Sequence, residues 1–300
     1  MKKFFNLFRR REWHMVDASF ANYPYATQSA SQKMDIYLPS SKGKVNVILN
    51  IHGGGWCTGD KTSDTDACKK AAKMGYVAAS MNYRMLIPWL SLPRWLQPVN
   101  CKGMLDDIGN AIAALKAKLI AEDYTPNKLA ITGWSAGGHL AMLYGGSRYQ
   151  QSSIPIAFLF TDCAPTDLTD AALFSNLRNK SVTALLSALA GRKISRQDVF
   201  NKAPTLRELS PLYSVDSGSP PILMRYGALD NMIPRSQGTA MQAALNAANV
   251  QNDLFVYPNT GHDLHKPDPS DAGISDAYMT KLREYLAVLF HDGGEISTWI

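Results

Sequence analysis

KLAITGWSAGGHLAML, residues 128–143, passes from β-favouring apolar residues through a knot of small residues into helix formers. Residues 128–133 read as a strand and residues 136–146 as a helix, with Ser135 at the changeover. The pentapeptide Gly133-Trp134-Ser135-Ala136-Gly137 fits G-x-S-x-G, the strand–turn–helix arrangement that lifts a serine hydroxyl out of a sheet. Small residues at its flanks suit a turn too tight for side chains. The helix that begins near Ala136 offers unpaired backbone N–H groups and a positive dipole end to a developing anion. The structural alternative is a small-residue turn that only packs helix against strand. The strand on one side and the helix on the other favour chemistry.

Outward from this point, strands and helices alternate. Residues 33–39, 45–51, 76–83, 128–133, 156–162, 221–227 and 253–258 are apolar runs bounded by turn residues and read as strands. Helical character fills 64–75, 104–122, 136–146, 236–249 and 276–290. Near-continuous apolarity in the central strands calls for a sheet covered on both faces. The expectation is an α/β fold with a mainly parallel, doubly wound sheet and helices on both faces. The first two strands have no helix between them and are expected to form an antiparallel edge. Two long connections interrupt the rhythm: 85–100, with three prolines and two tryptophans, and 164–219, with a helical stretch at 181–191. Loops of this length serve a binding site or a lid. The division expected is a basic lead-in over 1–31, one domain over 32–290 with those two insertions, and a tail over 291–300.

The chain has 300 residues, 46% hydrophobic and 19% charged, a balance that excludes a disordered chain and suits a soluble globular one. The net charge of +6 is mild for this length, and no nucleic-acid partner is expected. Much of that charge comes from Lys2, Lys3, Arg9, Arg10 and Arg11, which flank an apolar run at 4–8. This end reads as a frayed basic segment or a weak membrane-surface contact. No stretch reaches the roughly 18 apolar residues of a transmembrane helix, so no stable membrane insertion is expected. Without an export signal the expected location is cytoplasmic. The four cysteines, Cys57, Cys68, Cys101 and Cys163, form no C-x-x-C pair and no zinc spacing. Reduced thiols and no metal or cofactor are expected, with Cys57–Cys101 and Cys57–Cys68 bridges left open.

A second glycine cluster, His52-Gly53-Gly54-Gly55-Trp56, follows the strand at 45–51. Glycines there let backbone amides approach a substrate closely, as an oxyanion hole requires. The candidate donors are the N–H groups of Gly54, Gly55 and Ala136. A phosphate cradle would need G-x-x-x-x-G-K-[ST], which is absent, and no lysine adjoins the glycines. His52 reads as a residue that organises the turn. In the order serine, acid, histidine, the acid is Asp230, just beyond the strand 221–227, and the base is His262, just after the last strand. His265 is the rival base. Asp263 adjoins His262 on a neighbouring Cα and is poorly placed to brace the same ring. Asp253 stands at a strand start, on the wrong side of the sheet.

HGGGW (52–56), GWSAGGHLA (133–141), GALDNMIP (227–234) and GHDL (261–264) together resemble the α/β-hydrolase-fold carboxylesterases. The nearest subgroups are hormone-sensitive-lipase-like, feruloyl and acetyl-xylan esterases and arylformamidases. The likeness runs from Gln32 to Phe290 and includes QKMDIYLP (32–39) and MNYR (81–84). Trp134 stands where hormone-sensitive-lipase relatives usually carry aspartate, which moves the match toward feruloyl esterases and formamidases. The resemblance implies a serine carboxylic-ester hydrolase acting on short-acyl or aryl esters, including acetylated or feruloylated carbohydrate, through an acyl-enzyme. An arylformamidase or amidase with the same triad is the alternative. A non-catalytic ligand receptor is a third class, though such receptors typically lose the base. Trp56, Trp134, Trp89 and Trp95 are expected to meet the small-molecule or carbohydrate ester. Met85 and Leu96 join the two loop tryptophans as a pocket wall or an ordinary hydrophobic lid. Arg84 is expected to pair with Asp106 or Asp107, Asp162 and Asp167 to cap loops, and His139 to pack.

Overall fold

The computed structural model describes residues 18–87, 93, 95–174 and 179–290. In chain order the elements are β1 (Phe20–Pro24), β2 (Lys33–Tyr37), β3 (Gly43–Ile51), α1 (Thr65–Lys73), β4 (Val77–Met81), α2 (Cys101–Ala121), β5 (Tyr124–Trp134) and α3 (Ala136–Ser147). They continue as β6 (Ile156–Asp162), α4 (Asn179–Ala190), α5 (Arg196–Phe200), α6 (Pro204–Glu208), β7 (Ile222–Gly227), α7 (Ser236–Ala247), β8 (Asn252–Tyr257) and α8 (Ala272–Phe290). The strands form one eight-stranded sheet in the order β1-β2-β4-β3-β5-β6-β7-β8. All neighbours from β4 to β8 run parallel, and β1–β2 and β2–β4 run antiparallel.

The antiparallel edge is therefore real but differently built from the expectation. β2 and β3 do not pair with each other. β3 is buried along most of its length and lies between β4 and β5, so β2 pairs across β4 instead. β1 completes the edge and starts the sheet at Phe20, inside the stretch expected as lead-in. Its sequence FANYP gives no alternating apolar signal, because only one side of it meets the sheet and most of it stays exposed or half-buried.

The two faces follow the period-two alternation of the strands. Val47, Leu49 and Ile51 pack with Ile108 and Ile112 of α2 and Leu140 of α3. Ile48, Ala130, Phe158 and Leu223 face the other way, onto Tyr278, Tyr285 and Phe290 of α8. Each buried Val, Leu, Ile or Phe among them contributes about 1.5–3 kcal/mol, so these layers hold the strand ends in fixed register. Arg84 locks the end of β4 to α2: its Nε donates to Asp107 Oδ1 at 2.9 Å, and Asp107 Oδ2 accepts from the Arg84 N–H at 2.8 Å. All four cysteines are free. No helix among the described residues is long and apolar enough to cross a membrane. The carboxyl ends of β3, β5, β7 and β8 open onto one edge, where ligands of open α/β sheets bind.

Candidate active site

Ser135 caps the start of α3 with φ 54° and ψ −119°. A non-glycine residue in that region costs about 1–3 kcal/mol and persists only where its surroundings over-determine it. Here the Ser135 N–H donates to the Asp162 carbonyl of β6 at 2.8 Å, and its own carbonyl accepts from the His139 N–H at 2.9 Å. The turn also packs backbone against backbone on β3. A Cβ on Gly137 would lie 2.0 Å from the Ile51 carbonyl oxygen, so only glycine fits there.

Asp230 follows β7 by three residues and is almost fully buried. Its Oδ1 accepts from the N–H groups of Met232 (2.8 Å) and Ile233 (2.9 Å), while its Oδ2 meets His262 Nδ1 at 2.6 Å. Burial raises the Asp230 carboxyl, but the bonds from His262, Ile233 and Met232 outweigh it and hold the group below the usual carboxylate range. Asp230 is thus ionised at neutral pH. With Nδ1–H committed to Asp230, the second ring nitrogen of His262 is the one able to take a proton. The loop that carries His262 is tied to buried Asp271, which accepts from Thr260 Oγ1 at 2.6 Å and from the Asn259 N–H at 3.0 Å.

Trp134 joins the serine turn to this loop. Its ring lies 5.1 Å from that of His262, and its Nε1 donates to the His262 carbonyl at 3.3 Å. The same ring also meets His265 edge-on at 5.9 Å. Of the two histidines beside Trp134, His262 is the one bonded to the acid. Sulfur and polar ligand atoms of Cys163, Asp230 and His262 lie within 4.8 Å of one another, a grouping that could hold a metal ion. The Asp230–His262 hydrogen bond already uses two of those donors, and burial pushes the Cys163 thiol up.

The loop after β3 turns sharply. Gly54 has φ +112°, and a Cβ on it would lie 2.2 Å from the Thr58 carbonyl oxygen. Its own carbonyl accepts from the N–H groups of Thr58 (3.0 Å) and Cys57 (3.2 Å). The N–H groups of Gly54 and Gly55 donate to no described backbone acceptor. As the first helical residue, Ala136 has no intrahelical acceptor for its N–H. His52 organises the turn, as its ring stacks on Tyr83 at 4.5 Å and its Nδ1 bonds the Gly53 carbonyl at 2.7 Å.

Of the residues expected to meet substrate, Trp56 departs from the expectation. It is 5% exposed, sits in the core and donates its indole N–H to His139 Nδ1 at 3.3 Å. The cause is the indole's partner: its N–H answers buried His139 while the backbone holds φ 62°, a conformation that costs about 1–2 kcal/mol. Trp134 is half-buried against the two histidines, and Trp95 is half-buried beside Leu96, which is 54% exposed. Trp89 lies outside the described residues. Asp167 caps its loop, accepting from the Thr169 N–H at 2.8 Å.

One pair was missed by sequence reasoning. Asp162, whose carbonyl holds Ser135, has its carboxylate gripped by Arg225 of β7, with Nε–Oδ1 2.5 Å and Nη2–Oδ2 2.7 Å. The guanidinium in turn lies 4.5 Å from the Tyr278 ring centroid. The available signal was a lone arginine inside the apolar run PILMRYG (221–227), a charge that such a strand tolerates only when paired.

The BD-FAE family profile matches residues 34–245, and the dienelactone hydrolase family profile matches residues 204–288. Among curated relatives, the chain is 24% identical over 251 residues to "Esterase LipQ" of Mycobacterium tuberculosis, covering 82% of this chain and 57% of that protein. It is 24% identical over 259 residues to "Isoprenylcysteine alpha-carbonyl methylesterase ICME" of Arabidopsis thaliana, with 82% and 57% covered. The chain thus spans little more than half the length of these relatives. A solved "truncated form of carbohydrate esterase from gut microbiota" superposes with a TM-score of 0.71 at 21% identity, covering 91% of this chain and 98% of that one. The "acetyl ester-xyloside bifunctional hydrolase" of Caldicellulosiruptor lactoaceticus gives 0.63 at 20%, with 85% and 86% covered. At these identities the structural likeness speaks for the α/β-hydrolase fold.

Proposed function

The chain belongs to the BD-FAE family, and from that membership we propose that it is a serine carboxylic-ester hydrolase of short-acyl or aryl esters, acetylated or feruloylated carbohydrate among them. The observation that carries the proposal is the 2.6 Å bond between His262 Nδ1 and Asp230 Oδ2, beside a serine held at positive φ on the neighbouring turn. In this reading the Ser135 hydroxyl attacks the ester carbonyl while the free nitrogen of His262 takes its proton. The N–H groups of Gly54, Gly55 and Ala136 receive the charge that develops on the carbonyl oxygen. His262 then hands its proton to the departing alcohol, leaving the acyl group on Ser135. Water, deprotonated by His262, releases the acid and restores the serine. Asp230 holds the imidazole in one orientation and stabilises its charged form throughout.

The domain is read as one hydrolase unit over 32–290, extended upstream by β1, with 85–100 and 164–219 as its pocket insertions. Two structural neighbours whose names specify carbohydrate or acetyl esters support the substrate class. A series of p-nitrophenyl esters of increasing acyl length, run beside acetylated xylan, methyl ferulate and N-formylkynurenine, tests it. Turnover is expected on short acyl chains and to vanish in Ser135→Ala. Best turnover on long-chain esters, or on the formamide, would remove the substrate claim, and an active Ser135→Ala would remove the mechanism.

A further inference from the structure

We infer that His139 is a positioning residue for the oxyanion turn, holding Gly54 and Gly55 in place through the indole of Trp56. The inference rests on the proposed role of those two amides. Gly54, Gly55 and Trp56 take φ values of +112°, +58° and +62°, three positive values in succession, the last on a residue that strongly disfavours it. A turn of that kind relaxes unless something outside it fixes the side chain that ends it. Trp56 is fixed at two atoms. Its carbonyl accepts from the Leu86 N–H at 2.8 Å, and its indole N–H donates to His139 Nδ1 at 3.3 Å.

His139 is well suited to this task. It is fully buried in the first turn of α3, and its own N–H donates to the Ser135 carbonyl at 2.9 Å. The other ring nitrogen, Nε2, lies 2.8 Å from the Leu209 carbonyl. A carbonyl can only accept, so Nε2 carries the proton and Nδ1 presents a lone pair to the indole. One neutral imidazole with a fixed tautomer therefore spans the serine helix, the oxyanion turn and the 164–219 insertion. The distance between the serine and the amides that would receive the oxyanion is set by a rigid ring rather than by the glycines themselves. The indole and imidazole meet edge to face, 5.2 Å apart at 88°.

The test compares three variants on a short-acyl p-nitrophenyl ester. His139→Leu removes both ring hydrogen bonds, His139→Gln offers an acceptor and a donor again, and Trp56→Phe removes the donor from the other side. The expected result is a kcat lower by about tenfold to a hundredfold in His139→Leu and in Trp56→Phe, as for a misplacement of about 1 Å, with KM little changed. Affinity for a trifluoromethyl ketone, which forms an oxyanion on the serine, should weaken by the same factor. His139→Gln should recover most of the loss, and the double variant should be no worse than the poorer single one. If His139→Leu does not fold, Trp56→Phe with its core-sized ring decides. A rise in KM at unchanged kcat, or wild-type kcat in folded Trp56→Phe, overturns the inference. Full activity in Ser135→Ala would instead overturn the mechanism beneath it.

Discussion

Replacing Asp230 with asparagine is the sharpest probe of the proposed acid–base pair, because the structure dictates which way the new amide must point. Asp230 Oδ1 accepts from two backbone N–H groups, at 2.8 Å and 2.9 Å, and Oδ2 faces His262 Nδ1 at 2.6 Å. An asparagine has one accepting end and one donating end. If its NH2 faced the backbone, the N–H groups of Met232 and buried Ile233 would lose their acceptor, the buried one alone at about 1–3 kcal/mol. The oxygen therefore stays and the NH2 turns toward His262. Only a lone pair on Nδ1 can answer it, so the imidazole proton moves to Nε2. A ring in that tautomer cannot take the proton of Ser135. The expected loss in kcat is about 10⁴-fold, or about 5 kcal/mol of transition-state stabilisation, with KM nearly constant. Steady-state hydrolysis of a p-nitrophenyl ester measures the loss, and ¹⁵N shifts of the His262 ring report the tautomer. A variant that keeps kcat within about tenfold of wild type, or whose Nδ1 stays protonated, would refute the reasoning.

Two further outcomes follow from the geometry. Ser135→Gly removes the positive-φ strain that Ser135→Ala retains, and after glycine's own entropic cost it should melt as the more stable of the two variants by about 1 kcal/mol; equal melting temperatures would mean that the turn is unstrained. Burial pushes the His139 pKa down to about 4, against the upward pull of its bond to Leu209. The unfolded chain, titrating near about 6.5, thus binds a proton that the folded state refuses. Stability should be full above that value and fall toward pH 4, by about 1.4 kcal/mol per pH unit. Urea titrations across that window should show part of the slope missing in His139→Gln, and an identical slope would exclude His139 as its source.

Much of the architecture could be read because it is local. The strand and helix around Ser135 follow from periodicity and small residues, and the later strands lie within a residue or two of their apolar runs. Non-local facts escaped. β2 pairs with β4 rather than β3 because sheet position depends on which strand is buried on both faces, and β1 is an edge strand with no apolar stripe. Trp56 was misplaced for a non-local reason too: its indole is held by His139, 83 residues further along the chain. The Asp162–Arg225 grip joins residues that are register partners across β6 and β7, and register is invisible until both strands are placed.

The division of the site between strands has a consequence for biogenesis. Ser135 and the glycine turn hang on β5 and β3 in the middle of the sheet, whereas Asp230 and His262 follow β7 and β8 at its far edge. A domain generally folds as a unit. The first half of this domain carries the serine turn and the glycine turn, but the acid and histidine proposed to arm the hydroxyl come with the last two strands. In the proposed mechanism, hydrolytic competence therefore waits until β8 pairs with β7. A newborn chain is in that sense its own zymogen, one matured by completing a sheet rather than by cutting a bond.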